Sequence, residues 1–422
     1  MMLSNFNNCF LQIGATRDGL DPYLDACYRR GIKSILIETP DYLQWRRKLK
    51  RRSFHMEIPV EQPNDPDRVL AALGDLKQDL KLVLPGFERY VECASSLAKI
   101  LGISSRGGCD FHPPDKESQR DTLAQKFPSI RQPRYLSLPV KDLDRILSSN
   151  LSYPIVVKPA NGGGGLGVFL VETPSELKAA STELQRLTNY DGTPFETLLV
   201  EEYIPGVEHS IQAFAHEGKA VILTLCEKFI INEPYALDRD LKGFRECGHI
   251  VIGGGNSLNP RIYGLAQSCL DAFGYYEGPF HIDLIQRGED IYFVEMGFRL
   301  SGGNLVSLVR KATGIDWGDL SFAAHLETFP PLDFKAGSVG QIVALSPIQL
   351  KIGGSLLDQG YAVEIETFAP LERSDSLSLA PTTLAADILR HTGPSGRITV
   401  RGDDRTTVKR LLQTCLLTPS PV

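Results

Sequence analysis

Three stretches of this chain carry side chains suited to work on phosphate oxygens. In YPIVVKPANGGGGLGVFLVE (153–172), Lys158 precedes glycines at 162–165 and 167. The spacing G-x-G-x-x-G occurs at Gly162, Gly164 and Gly167, but its context excludes a dinucleotide-binding turn. That turn must open a helix, whereas VFLVE is β-branched and aromatic and reads as a strand. A Walker A loop ends in Gly-Lys-Ser/Thr, and here Gly-Val follows. What remains is a strand–loop–strand hairpin with Lys158 at the end of its first strand. Glycines such as Gly163, Gly164 and Gly165 let backbone N–H groups approach phosphate oxygens with no Cβ in the way. The lysine adds a point charge for the same oxygens. A merely flexible hairpin tip is the plain alternative, and the other stretches decide.

The second stretch, LLVEEYIPGVE (198–208), is a strand bearing Glu201 and Glu202, stopped by Pro205-Gly206 and followed by Glu208. Beside a phosphate loop, such a strand edge offers N–H and C=O groups to an adenine, and Glu208 can accept from ribose hydroxyls. Solvated surface glutamates are the alternative. The third, HIDLIQRGEDIYFVEMGFRLSGGN (281–304), reads as a hairpin. A three-residue loop, Gly288-Glu289-Asp290, sets Asp283 directly across from Glu295 on one face. Two opposed carboxylates destabilise a strand pair unless a cation lies between them, and hard oxygen ligands of this kind suit Mg²⁺ shared with nucleotide phosphates. A two-residue loop places them on opposite faces and removes the argument. Arg299, four residues after Glu295, is placed to neutralise charge on a transferring phosphoryl group, or else to form an ion pair with Asp283.

Three kinds of element must hold these residues. Over the first hundred positions, CFLQIG (9–14), SILIET (34–39) and KLVLPG (81–86) read as strands. They alternate with helices in DPYLDACYRRG and ERYVECASSLAKILG, the pattern of a parallel α/β layer. Gly14 ends the first strand, where ligands bind in such sheets. GGCDFHPPD marks a boundary, and KESQRDTLAQKF then reads as a helix. Beyond it IVVKP, VFLVE, TLLVEEYI, SIQAFAHE, AVILTLCEKF, HIDLIQ and IYFVEMG read as a mostly antiparallel sheet, with a helix near 174–187. The last ninety residues mix short strands with helices and show no chemical constellation.

Composition sets the outer limits. The 422 residues are 42% hydrophobic and 23% charged, an ordinary globular balance long enough for several domains. A net charge of −6 offers no field to attract nucleic acid or an acidic membrane. No apolar run reaches the roughly 18 residues of a spanning helix, and the N-terminus lacks a secretory pattern. Cys9, Cys27, Cys93, Cys109, Cys226, Cys247, Cys269 and Cys415 stand singly, without zinc spacing, as reduced and mostly buried thiols of a cytoplasmic protein. The basic run Arg46, Arg47, Lys48, Lys50, Arg51 and Arg52 reads as a solvated helix face, with an anionic docking patch as the alternative.

In this order the motifs resemble those of the ATP-grasp superfamily of carboxylate–amine ligases. VVKPANGGGGLGV is similar to its phosphate-binding hairpin, VEEYIPGVEHSI to its adenine hinge, and GPFHIDLI with FVEMGFRLSGG to its two metal-ligand strands. DKESQRDTLAQKFPSIRQPRY resembles its lead-in helix, which implies that Lys116 contacts ATP phosphates together with Lys158. The resemblance further implies Glu201, with Glu202 and backbone groups of Tyr203 and Ile204, at adenine, Glu208 at ribose, and Asp283 and Glu295 on Mg²⁺ (or Mn²⁺). Within the superfamily the chain is most similar to L-amino-acid (dipeptide) ligases, through Glu246-Cys247-Gly248-His249 and Arg299. That likeness implies Glu246 and His249 near the substrate amine or carboxylate and Arg299 on an acyl phosphate. Two positions depart. Many members carry Asn, often before Pro, two residues after the second metal carboxylate; here Gly297 and Phe298 stand, removing a usual ligand of a second Mg²⁺. IVIGGGN follows His249 where amino-acid ligases often have proline.

The expected fold is therefore an α/β and α+β ATP-grasp fold. It divides into an N-terminal Rossmann-like α/β domain (1–112), a lid-containing subdomain (113–197), an antiparallel-sheet catalytic subdomain (198–330) and a C-terminal α+β subdomain (331–422). The expected enzyme is an ADP-forming ligase joining a carboxylate, an amino acid, to an amine, a second amino acid, through an acyl phosphate. Its partners are small molecules, with no nucleic acid or membrane, and the resemblance admits a homodimer. A biotin-dependent carboxylase, a purine-pathway ligase and a non-catalytic ATP-binding module are the alternatives.

Overall fold

The computed structural model describes residues 8–17, 20–103, 111–148, 151–189, 193–235, 238–252, 258–335, 337–368 and 395–416. Cys109 and the whole GGGN segment (253–256) lie outside them. The N-terminal layer runs β1 (Cys9–Ile13), α1 (Tyr23–Arg30), β2 (Lys33–Glu38), α2 (Pro40–Lys48), β3 (Met56–Pro59), α3 (Pro66–Leu73), β4 (Leu80–Pro85) and α4 (Val91–Ile100). All strand pairs are parallel, in the order β3-β2-β1-β4. Local chemistry sets the helix limits. α2 and α3 begin with Pro after Thr39 and Asp65, whose side chains accept from backbone N–H groups of the first turn. Gly31 ends α1 in the left-handed region at φ 61°. Every residue of β1 is buried, as a strand covered on both faces requires.

The basic run departs from its expectation at Arg46. This side chain is buried, not solvated, and makes a bidentate pair with the buried Asp21. Its guanidinium also donates to the Arg52 carbonyl, while Arg47 and Arg52 meet Glu57 and Asp25. The helix-face reading missed that the run turns back over α1 at its C-terminal end.

The second sheet holds the remaining strands. α5 (Lys116–Lys126) leads into β5 (Tyr135–Pro139), β6 (Ile155–Pro159), β7 (Phe169–Val171), α6 (Pro174–Leu184) and β8 (Thr197–Glu202). β9 (Val207–His216), β10 (Lys219–Tyr235), β11 (Asp238–Ile252), α7 (Pro260–Phe273), β12 (Gly278–Arg287) and β13 (Asp290–Gly297) follow. Their order is β13-β12-β9-β10-β11-β7-β6-β8-β5, with every neighbouring pair antiparallel. α8 (Leu305–Thr313) and α9 (Trp317–Leu326) lie behind it. β14 (Ser338–Ala344), α10 (Pro347–Asp358), β15 (Ala362–Thr367), β16 (Gly396–Gly402) and α11 (Arg405–Leu416) extend the sheet through β14, which pairs with β11. β11 escaped the sequence reading because DRDLKGFRECG is charged and glycine-containing, and its strand state comes from pairing on both sides.

Three contacts bind the parts together. Arg29 and Arg30 at the end of α1 pair with Asp316, Asp319 and Glu327 around α9. The Trp317 indole is fully buried and donates to the Ala213 carbonyl on β9 at 3.1 Å. Glu227 on β10, itself buried, accepts from Arg405 and Lys409 of α11. The seven described cysteines are all buried. Among the described residues no helix is long and apolar enough to cross a membrane.

Candidate active site

The inward face of α5 is polar, which explains why this helix reads as a surface element in sequence. Asp115 accepts from the Ser118 N–H at 2.8 Å, so the helix starts at Lys116. Lys116, Gln119, Arg120 and Leu123 then fall on one face by helical spacing. Gln119 meets both backbone groups of Met296, donating at 2.9 Å and accepting at 2.8 Å, as a neighbouring strand would. Arg120 is fully buried and donates to the Phe293 carbonyl and to Glu201 at 2.6 Å. One turn earlier, Lys116 pairs with Glu295 at 3.2 Å and donates to the Gly162 carbonyl, joining the glycine hairpin to the carboxylate hairpin.

Glu201 sits between two cations, with Lys158 at 2.8 Å and Arg120 on its other oxygen. Burial would push its carboxyl up, but Arg120 and then Lys158 outweigh this and hold it below the usual range. Burial and the nearby Arg120 lower the Lys158 ammonium despite Glu201. The Glu201 carboxylate thus holds Lys158 and Arg120 in place. Glu202 departs from its expectation more sharply. Its side chain lies on the opposite face of β8 and pairs with the exposed Arg134 at 2.8 Å, because neighbouring strand residues alternate in direction. Tyr203 closes the hinge, donating its N–H to the Pro154 carbonyl at 3.2 Å, and Ile204 is buried beside it.

Asp283 and Glu295 do stand opposite one another, but by another route than the sequence suggested. Arg287 pairs with Asp290, so the loop is the two residues Gly288-Glu289, not three. A bulge then restores the alignment: Leu284 pairs with Phe293 and Asp283 with Glu295, leaving Val294 as the extra residue. Gly288 takes φ 59°, as a tight hairpin of this kind requires. Burial would raise the Glu295 carboxyl, yet Lys116 and Lys158 bring it down to about 2.

Lys228, which sequence reasoning missed, meets Asp283 at 2.7 Å and Glu246 at 3.0 Å. It lies directly across from His249 in the β10–β11 pair. Burial opposes its charge, but Asp283, then Glu246 and Glu208, hold its ammonium well above the ordinary range. The sequence shows only that Lys228 lies within the strand run AVILTLCEKF beside Glu227, and not which face it takes. His249 Nε2 lies 2.5 Å from Glu246, so the Glu-x-x-His pair is a real contact. Burial raises the Glu246 carboxyl and Lys228 with His249 overrides it, leaving it well below normal. Glu208 faces the same charges. Burial lifts its carboxyl to about 6, with Lys228 opposing and Asp283 and Glu246 adding to the rise.

Arg299 pairs with Glu88 at 3.0 Å rather than with Asp283, and its guanidinium lies over the Phe87 ring. The vacant side-chain position at Gly297 also has a physical reason. A Cβ there would come within 2.2 Å of the His281 ring and 2.9 Å of Glu88 Oε2. His281, directly across in the β12–β13 pair, fills that space, and its Nδ1 lies 3.2 Å from the Arg299 carbonyl. In the glycine hairpin, Gly164, Gly165 and Gly167 adopt φ of 63°, 76° and 70°. Any other L-residue would cost roughly 1–2 kcal/mol at each.

The donor set fits a hard divalent cation. Asp283 Oδ1 is buried and lacks a hydrogen-bond partner, and its sister carboxylate stands across the ladder. Among the described residues no three His, Cys, Asp or Glu side chains converge. The remaining ligands would be phosphate oxygens and water, the usual coordination of protein-bound Mg²⁺.

Residues 151–307 match the ATP-grasp domain family. That stretch is similar to an ATP-grasp domain. The match covers the hairpin, the hinge and both carboxylate strands, and the fold expected from the sequence is the one observed. Over 98% of both chains, the protein superposes on an L-amino acid ligase from Bacillus licheniformis with a TM-score of 0.65 at 17% identity. It is 24% identical over 364 residues to the ATP-grasp enzyme fsqD of Aspergillus fumigatus, covering 82% of this chain and 56% of that protein. It is 26% identical over 283 residues to a D-alanine–D-alanine ligase of Desulforudis audaxviator, covering 64% and 87%. Two of these relatives are ligases, the class expected from the sequence.

Proposed function

We propose that this protein joins a carboxylate to an amine at the expense of ATP, giving an amide, ADP and phosphate, with amino acids as both substrates. The observation that carries the reading is the convergence of Lys116, Lys158 and Lys228 on Glu295, Glu201 and Asp283. Three lysines held by three carboxylates form a site ready to exchange partners for phosphate oxygens. The adenine would lie along the backbone of Glu201, Tyr203 and Ile204, with its ribose on Glu208. Gly163, Gly164 and Gly165 would close over the phosphates and keep water from the reacting centre. Asp283 and Glu295 would hold Mg²⁺, which supplies charge neutralisation between the phosphates when bound.

In the reaction, an oxygen of the donor carboxylate attacks the γ-phosphorus and the bond to ADP breaks. Lys116, Lys158 and Lys228 position the phosphates, and Arg299 faces the acyl phosphate formed. The amine nitrogen then attacks the acyl carbon, phosphate leaves with the bridging oxygen, and the amine proton goes with it. Glu246, held by His249, accepts the hydrogen bonds of the incoming amine. The division into segments 1–112, 113–197, 198–330 and 331–422 and a cytoplasmic setting belong to the same proposal. Phosphate release screened over pairs of amino acids, with mass spectrometry of the products, tests it. Turnover should require both substrates, and Glu295→Ala should lower it at least about 1,000-fold, as loss of a phosphate-site electrostatic contact does. Near-normal turnover in that variant would overturn the metal assignment, and turnover driven by bicarbonate alone would overturn the substrate class.

A further inference from the structure

In a chain of net charge −6, one open cavity is lined by cations and by no acid. It encloses about 480 Å³ between α8, β16 and the segment before β14, and its walls are Ser307, Arg310, Lys311, Gly314, Lys335 and Arg401. Arg310 and Lys311 stand in the last turn of α8, where cations ordinarily meet the negative end of a helix. Lys335 and Arg401 have no such explanation, because they arrive from other elements. Arg401 is carried by β16. Lys335 is anchored at the end of α8, where its backbone N–H donates to the Thr313 carbonyl at 2.9 Å. Its stem lies over Gly314, whose Cβ position is 3.2 Å from Lys335 Cδ.

The carboxylates at the margin are too few for these charges. Glu364 on β15 is shared by Lys311 and Arg401, the latter at 3.0 Å. Asp316 is shared by Arg310 at 3.7 Å and Arg29 at 3.0 Å. Lys335 has no carboxylate partner among the described residues. Like charges gathered in one concavity focus their field, so an anion entering it is stabilised by all of them at once. Along α8, Ser307 and Lys311 also line a second cleft of about 260 Å³ that includes Leu20 and Ile365. That cleft gives room beside the charges for the organic part of a small molecule.

We propose that this cavity is a second ligand site, for a small multivalent anion carrying two or more phosphate or carboxylate groups. A monovalent anion would pair with one cation and leave the others facing each other. A multivalent one spans them, and the planar guanidinium forks of Arg310 and Arg401 suit the paired oxygens of either group. The site stands independently of the ligase reading, since it shares no residue with the proposed ATP site.

Titration calorimetry of the full chain with inorganic phosphate, pyrophosphate and citrate tests the site, with Mg²⁺ and a non-hydrolysable ATP analogue present to fill the proposed ATP site. Pyrophosphate or citrate should bind at least about tenfold more tightly than inorganic phosphate. The tighter of the two identifies the ligand's anionic groups as phosphate or carboxylate. Lys335→Gln, at an exposed position with no ion pair to lose, and Arg401→Gln should each weaken that binding about tenfold. Lys335→Arg should keep it, and melting temperatures check that each variant is folded. No binding of either multivalent anion, or affinity no better than that for inorganic phosphate, would overturn the proposal. So would undiminished affinity in folded Lys335→Gln and Arg401→Gln, or binding that vanishes when the ATP analogue is added.

Discussion

At the scale of single residues, the site is a set of charges whose partners can be exchanged. Lys116, Lys158 and Lys228 each hold a carboxylate that would otherwise repel its neighbours, which lets Asp283 and Glu295 face one another in an apolar sheet. Glu208 has the opposite problem. Its burial near Asp283 and Glu246 lifts its carboxyl to about 6. An acid raised in this way is ionised above that pH and neutral below it, and the ionised form is the stronger acceptor for ribose hydroxyls. Adenosine, which carries no phosphate to titrate, should therefore bind more weakly as pH falls through about 6. Titration calorimetry between roughly pH 5 and pH 8, which brackets the raised value and lies above the ordinary carboxylate range, reads this directly. In Glu208→Gln the dependence should flatten, and a persisting pH dependence would place the titrating group elsewhere. Glu201, Glu208, Asp283, Glu295 and Lys158 were legible in sequence because glycines, turns and strand ends frame them. Lys228, Arg120, Glu88 and His281 were not, since a lone charged residue in an apolar or mixed run shows no sign of which face it takes.

Elements decide what these residues can do, and the β12–β13 hairpin shows how. The opposed carboxylates were inferred from a three-residue loop, yet a two-residue loop and a bulge at Val294 produce the same pairing. Patterns in sequence report the period of a strand but not a single-residue slip inside it. The same hairpin explains Gly297. His281 occupies the space its side chain would take, with the would-be Cβ 2.2 Å from the ring. Gly297→Ala should therefore cost about 1–3 kcal/mol, the range for an overpacked core. His281→Ala in the same chain should recover much of it, because the clashing ring is gone. Urea unfolding of the two single variants and the double variant measures the coupling. Additive costs would mean that the ring and the glycine do not share that space.

For the whole molecule, the proposed phosphate site is assembled from parts far apart in the chain. α5 brings Lys116, the glycine hairpin Lys158, β10 Lys228, β12 and β13 the carboxylates, and the N-terminal layer Glu88. Alternating strands and helices made the parallel layer readable in sequence, and strand runs made the antiparallel sheet readable. The meeting of the two layers at Arg299 was not, because packing between layers leaves no periodic trace. The account's central claim is that this assembled site transfers the γ-phosphoryl group of ATP to a carboxylate and then passes the acyl group to an amine, with phosphate leaving. Labelling both donor carboxylate oxygens with heavy oxygen, and measuring the mass of the released phosphate, tests that claim most directly. The account predicts one labelled oxygen in each phosphate released, together with ADP and an amide that has lost one label. Unlabelled phosphate, or ADP formed at the same rate without the carboxylate, would contradict it.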